Sequence, residues 1–273
     1  MTPKGAQNKR IRPVLLATCA IIAVYALVSY ALLPEFWRHY EGHETIADLA
    51  LVTETRLGIA GDALNVALAG DETDVVCAFT AAGWAPADAT TIRTSLKIAG
   101  SVIFDRPYPT APVSDLYYDG RKQDLAFQKA AGKSADTRHH VRFWRTLAAE
   151  KDRRPLWVGA VTFDRGVGVS AYTGQITHHI DANIDSERDR LTRDLAQAGV
   201  AQDVSLVSGI GPTLFARNGG GDHYFTDGEM AVVRLASGCA AHLPPPPAAI
   251  APAPAISLKN RLFGVLSALW RRL

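Results

Sequence analysis

The apolar positions of this chain form one long uninterrupted block, followed by short periodic runs. Val14 to Leu33 is twenty residues without a charge, VLLATCAIIAVYALVSYALL. At about 1.5 Å per helical residue it reaches roughly 30 Å, the thickness of a bilayer's hydrocarbon core. No polar stripe interrupts it, which argues against a buried core helix. Lys4, Lys9, Arg10 and Arg12 precede it, so the flanking charge predicts a cytoplasmic N-terminus and everything after Leu33 on the far side. Trp37 and Tyr40 suit the interfacial aromatic belt. Ser29-Tyr30-Ala31 would serve as a signal-peptide cleavage site, but the run exceeds the usual h-region of about 7–15 residues. An anchor and a cleaved signal place the rest of the chain in the same compartment.

Downstream the periodicity is mixed. Glu41 to Leu57 reads as a helix joining the membrane to a domain. Val75, Val76, Phe79 and Ala82 have helical spacing over Glu72–Ala82, with Gly83 as the stop. A second helix is predicted over Asp88–Ile103, capped by Asp88, with Ile92, Leu96, Ile98 and Ala99 inward. Pro107, Pro109 and Pro112 enforce an extended connection, and Asp119-Gly120 marks a hairpin turn. Strands are predicted near 122–129, 138–146, 155–164, 175–180, 203–208 and 229–236, with a charged-faced helix over Asp185–Ala198. The fold class is α+β: a single N-terminal transmembrane helix, then a mixed, largely antiparallel sheet with flanking helices.

The implied organisation is a cytoplasmic basic N-terminus (1–13), a transmembrane helix (14–33), a juxtamembrane connector (34–54) and a domain (55–237). A Pro/Ala-rich linker (238–257) and a basic amphipathic helix (258–273) follow. The linker contains Pro244 to Pro247 and then Ala-Pro dipeptides, a stiff spacer of about 40 Å at about 3.1 Å per residue. Leu258, Leu262, Val265, Leu266, Leu269 and Leu273 form one stripe with Lys259, Arg261, Arg271 and Arg272 beside it, the pattern of a helix lying on anionic lipid. Membrane lipid is therefore the expected partner of Val14–Leu33 and of the 258–273 segment, and the sequence names no protein partner.

Charge narrows the classes further. The 273 residues carry a net charge of +2, but eight of the 29 basic side chains sit at the two ends, which hold no acid. That leaves 21 basic against 27 acidic between them, a balance of −6 and the wrong sign for tracking phosphates along nucleic acid. Of three cysteines, Cys19 lies in the apolar run. Cys77 and Cys239 could pair in an exported domain, or Cys77 could be a buried thiol on a core-facing stripe.

Candidate chemistry gathers in three histidine strings: Arg138-His139-His140-Val141-Arg142, Thr177-His178-His179-Ile180-Asp181 and Asp222-His223. Adjacent strand residues point to opposite faces, so only one histidine of each doublet can reach a shared site. His139, Val141 and Phe143 form the apolar face, which leaves Arg138, His140 and Arg142 on the other, together with Trp144. His140, His178, His179, Asp181 and His223 are the candidate ligands of a divalent transition metal, although no HExxH or CxxC fixes them locally. Arg217, Asn218, Gly220 and Asp222 belong to a glycine-rich loop whose amides could approach an anion, without the context of a phosphate-binding P-loop. Arg106, Arg121, Arg138 and Arg142 could hold an anionic group, or could pair with Asp105, Asp124 or Asp164. The ligand-binding candidates are thus Arg138, His140, Arg142, His178, His179, Arg217, Asn218, Gly220, Asp222 and His223. GxSxG is missing, so serine-nucleophile chemistry has no local support.

Several strings in order resemble the LssY C-terminal domain family. They are Gly61-Asp62-Ala63-Leu64-Asn65-Val66-Ala67-Leu68, Ala82-Gly83-Trp84, Asp105-Arg106-Pro107-Tyr108-Pro109, Gly120-Arg121-Lys122-Gln123-Asp124 and Arg138 to Trp144. Gly174 to Ile180, Asp185-x-Glu187-Arg188 and Arg217 to Asp222 complete the set. The resemblance implies a bacterial membrane protein, and the orientation set by the basic N-terminal flank would then place the domain in the periplasm. The resemblance assigns no activity and transfers no catalytic residues. The expected function is an inner-membrane envelope module that binds a small or lipid-derived anionic ligand, or a partner protein. The alternative is a metal-assisted hydrolase of phosphate or acyl esters.

Overall fold

A computed structural model describes residues 4–36, 50–89, 91–133, 135–149, 154–207 and 215–239, with isolated helical positions 254, 258, 261, 262 and 265. The chain divides into two units, residues 1–42 and 43–273. In the first, helix α1 (Lys4–Leu27) runs through a π turn at Val28–Leu32. The stretch Pro13–Phe36 is long and apolar enough to cross a membrane.

The second unit is α+β and is built on an eight-stranded, mostly antiparallel sheet. Its longest strands are β8 (Arg138–Ala149) and β9 (Pro155–Val169), paired from Arg138↔Asp164 to Ala149↔Pro155. β7 (Leu125–Ala130) and β4 (Ala85–Pro86) extend one edge, and β10 (Ile176–Ile180) pairs with the far end of β9. β3 (Val66–Ala69), β14 (Met230–Leu235) and β11 (Ala201–Val207) complete the other edge, with β3–β14 parallel.

Strand alternation gives the sheet two distinct faces. Val141, Phe143, Trp157 and Val161 pack with Phe79 of α2 (Glu72–Ala81) and Leu191 and Leu195 of α4 (Ile184–Gln197). Trp144, Leu156, Val158 and Ala160 point the other way. They pack with Leu116 and Tyr118 beneath a small second sheet of β1 (Val52–Glu54), β2 (Ala60–Ala63), β5 (Tyr117–Tyr118) and β6 (Arg121–Lys122). Trp144 is therefore fully buried in a second core, although it shares a strand face with Arg138, His140 and Arg142.

Local sequence chemistry explains most of these elements. Asp71 and Asp74 form a capping box at the start of α2, and Gly83, at φ +78°, ends it. Asp119 and Gly120, both at positive φ, make the tight β5–β6 turn. Asn65 spans β3, β9 and α4: Nδ2 donates to the Val161 and Ile184 carbonyls, and Oδ1 accepts from Val161 N–H.

Three sequence expectations need correction. The helix expected to reach Leu57 does not: Val52–Glu54 is strand, β-branched at Val52 and Thr53, with the Thr53 hydroxyl donating to the Asp62 carbonyl. The rest of that expected helix lies largely outside the described residues. Helix α3 is shorter than predicted, Ile92–Ile103, and is capped by Thr91. Asp88 instead accepts from the Tyr108 and Thr110 hydroxyls, which hold it in the following loop, and Leu96 faces solvent. Cys77 is half-buried and disulfide-bonded, so it is not a buried thiol, whereas Cys19 is free. Most of the 258–273 segment lies outside the described residues; Leu258, Leu262 and Val265 are helical and exposed.

Candidate ligand-binding site

The sheet face turned away from α2 and α4 carries a buried polar cluster. It begins with three cross-strand neighbours. Arg138 lies opposite Asp164, His140 opposite Thr162, and Arg142 opposite Ala160. Arg138 Nε donates to Asp164 Oδ2 at 2.9 Å, and its Nη1 donates to the Ala111 and Pro112 carbonyls and to Gln128 Oε1. Arg142 Nη1 donates to Asp62 Oδ2 at 2.9 Å and its Nε to the Ser114 carbonyl. Arg138, Arg142, Asp62 and Asp164 are each almost fully buried, so each charge is matched by a partner where solvent contact is small.

His140 sits between the two ion pairs. Its Nε2 lies 3.0 Å from Arg142 Nη1 and 3.0 Å from Thr162 Oγ1. Arginine can only donate, so Nε2 accepts and the ring proton sits on Nδ1. Nδ1 lies 3.2 Å from Asp164 Oδ2 without hydrogen-bond alignment. Burial pushes the His140 pKa down, and the Asp164 carboxylate only partly opposes it. Burial would raise the Asp164 carboxyl in turn, but His140 and Arg138 outweigh that and hold it well below the usual carboxylate range.

These groups form the floor of a cavity of about 410 Å3. Its walls come from the Thr55–Ile59 turn, the Ser114–Leu116 segment, the β9–β10 hairpin and the Asn218–Gly220 loop. His178 lies on the hairpin wall, with Nε2 3.0 Å from the Ala135 carbonyl. A carbonyl only accepts, so Nε2 carries the proton and Nδ1 keeps its lone pair. Burial lowers the His178 pKa as well. In both arginines the hydrogen bonds run from Nε and Nη1, which leaves Nη2 without a partner among the described residues. Asp164 Oδ1 is buried and unpartnered too. The cavity thus offers two guanidinium donors beside one acceptor, His178 Nδ1, while Asp164 Oδ1 is sealed beneath the floor.

The glycine loop is shaped by its side chains. Asn218 Oδ1 accepts from Gly220 and Asp222 N–H, folding a tight turn between β12 (Phe215–Arg217) and β13 (His223–Phe225). A Cβ on Gly219 would meet Thr55 Cγ2 at 2.4 Å, so only glycine lets this loop close against the 55–59 turn.

A family model described as LssY C-terminus matches residues 43–230, well over half of the chain. The chain belongs to this family. No curated protein and no solved structure matches it. The strings that carry the resemblance divide sharply once placed in the fold. Asp62, Arg138, His140, Arg142, His178, Asn218 and Gly220 all line the cavity. Asn65 and Arg188 are framework: Arg188 donates to Asp227 Oδ1 and Oδ2 and to the Glu229 carbonyl, locking α4 to the turn before β14.

Four of the ten candidates lie elsewhere. His179 points to the opposite face and donates from Nδ1 to Asp222 Oδ1 at 2.7 Å. Asp222 also accepts from Ile180 N–H, so it braces β10. His223 is exposed, and Arg217 Nη1 donates to the Gly221 carbonyl at the surface. Asp181 accepts from Asn183 N–H. Among the described residues no three His, Cys, Asp or Glu side chains are arranged to hold a metal ion. His140, committed at Nε2 to Arg142 and Thr162, would have to break that network to become a ligand. Arg121 pairs with Asp124 at the surface, and Arg106 lies exposed over the Phe104 ring. Asp164, Asp62, Thr162 and Gln128 are the site residues that the pattern of histidines did not select. His139, on the opposite face, donates from Nδ1 to Glu187 Oε2 at 2.6 Å.

The depressed histidines make stability depend on pH with a definite sign. The unfolded chain binds protons on His140 and His178 near the ordinary value of about 6.5, whereas the folded chain takes them up only at lower pH. Stability is therefore complete above about pH 6.5 and falls as pH drops from there toward the folded values. Thermal melting of the full chain, followed by tryptophan fluorescence, should show this decline, and His140→Gln should flatten it. A melting temperature constant from neutral pH to about pH 5 would contradict the buried neutral pair.

Proposed function

We infer that the domain is a binding module whose cavity holds a compact oxyanion, phosphate-like in shape, and that it works on the non-cytoplasmic side of a membrane. The observation that carries the ligand reading is the pair of buried arginines, fixed by Asp62, Asp164 and backbone carbonyls, each with Nη2 left for a ligand. Guanidinium groups preset in this way lose little freedom on binding. The four buried charges sum to zero with both histidines neutral, so recognition rests on directed hydrogen bonds more than on net attraction. The ligand should also carry a hydroxyl or protonated oxygen to donate to His178 Nδ1.

The compartment reading is supported by the basic residues before Val14 and by the Cys77 disulfide, which persists in oxidising compartments. A bacterial inner membrane with the domain in the periplasm fits both. Inorganic phosphate should raise the melting temperature of the full chain, since a ligand bound only to the folded state stabilises it by mass action. Chloride at matched ionic strength should not. Equal effects from the two salts would reduce the oxyanion reading to general screening.

A further inference from the structure

The cavity has a second chemical character at its mouth. Leu57, at the tip of the 55–59 turn, and Ile176, at the start of β10, both line it, yet they are 73% and 81% exposed. Ile176 lies directly opposite Val169, and His178 directly opposite Val167, so these four side chains share one face of the β9–β10 ribbon. A register shift near His179 brings Asp164 onto that same face. An apolar strip of Val167, Val169 and Ile176 therefore leads outward from the polar floor, and Val169 is itself 60% exposed. Leu57 adds an apolar group from a separate turn.

What sets Leu57, Val167, Val169 and Ile176 apart from other exposed apolar side chains is that they gather beside one buried polar floor, as the apolar patches of ligand-binding grooves do. A bare phosphate would engage only the floor, and the cavity volume falls in the usual range of about 300–1,000 Å3 for small-molecule sites. We propose that the ligand is an amphiphile, with an oxyanion head between Arg138 and Arg142 and a hydrocarbon tail lying over Ile176, Val169 and Leu57. The inference rests on the oxyanion reading of the cavity floor and adds the tail to it. The same chemistry could come from a soluble alkyl phosphate or from a phosphomonoester lipid presented by a bilayer.

The test compares inorganic phosphate with octyl phosphate, binding to the full chain in phosphatidylcholine nanodiscs, with empty discs subtracted. Octyl phosphate should bind at least tenfold more tightly, because each buried methylene adds appreciably to affinity. The double variant Leu57→Gln with Ile176→Gln, at two exposed positions that should leave the fold intact, should lose that advantage and keep phosphate binding. Equal affinities for the two ligands in the natural chain would overturn the tail inference while leaving the oxyanion site standing. So would an octyl phosphate advantage that the double variant retains. Binding of neither ligand would sink both. Nanodiscs doped with an anionic phosphomonoester lipid identify the source. If they compete with octyl phosphate, the head is presented by a bilayer; if they do not, the amphiphile is taken from solution, and the tail contact stands in either case.

Discussion

An Asp164→Ala chain is expected to lose roughly 3–5 kcal/mol of stability, the usual cost of removing one partner of a buried ion pair. Asp164 is almost fully buried, accepts from Arg138 Nε, and lies beside the His140 ring. Without it the Arg138 guanidinium keeps its carbonyl and Gln128 partners but has no countercharge. Coupling Asp164→Leu with Arg138→Met should recover much of that loss, because a well-packed apolar pair can replace a buried ion pair at little net cost. Urea denaturation followed by tryptophan fluorescence gives both values. A single variant within about 1 kcal/mol of the natural chain would mean that water already reaches this pair.

Arg142→Lys should separate binding from folding. Lysine keeps a cation opposite Asp62, so the stability change should stay small. It lacks the planar fork that donates at once to Asp62, to His140 and into the cavity. Losing one arm of a buried charged hydrogen bond costs about 2–5 kcal/mol of binding, so phosphate affinity should fall 30-fold or more. An unchanged affinity would move the ligand away from this arginine.

Much of this site can be read from a strand's two-residue period. In a strand over 138–146, Arg138, His140 and Arg142 must share a face, and His139 must face the other way. The same rule could not choose between His178 and His179, because both neighbours of that doublet are mixed. The choice is made by the register with β9, which sets His178 opposite Val167 and leaves His179 to Asp222. Asp164 was visible only as one of several ion-pair partners for arginine. Its place beneath the histidine depends on strand pairing across 26 residues. Asp62 reaches Arg142 across 80 residues, and local pattern does not encode a contact of that range. The glycine loop shows the opposite failure. Its composition suggested that Arg217 and His223 help to hold an anion, but the turn folds on Asn218 and turns both outward. The helix predicted from Asp88 began late because Thr91 forms a complete capping box with Thr94, and Asp88 was already bonded to Tyr108.

The most direct measurement is crystallographic. Tungstate, a heavy oxyanion with the tetrahedral shape of phosphate, can be soaked into crystals of the full chain and located by anomalous scattering. The account predicts a single strong peak in the cavity, within hydrogen-bonding reach of Nη2 of both Arg138 and Arg142. Tungstate bound only at surface lysines and arginines, with the cavity holding water alone, would contradict it.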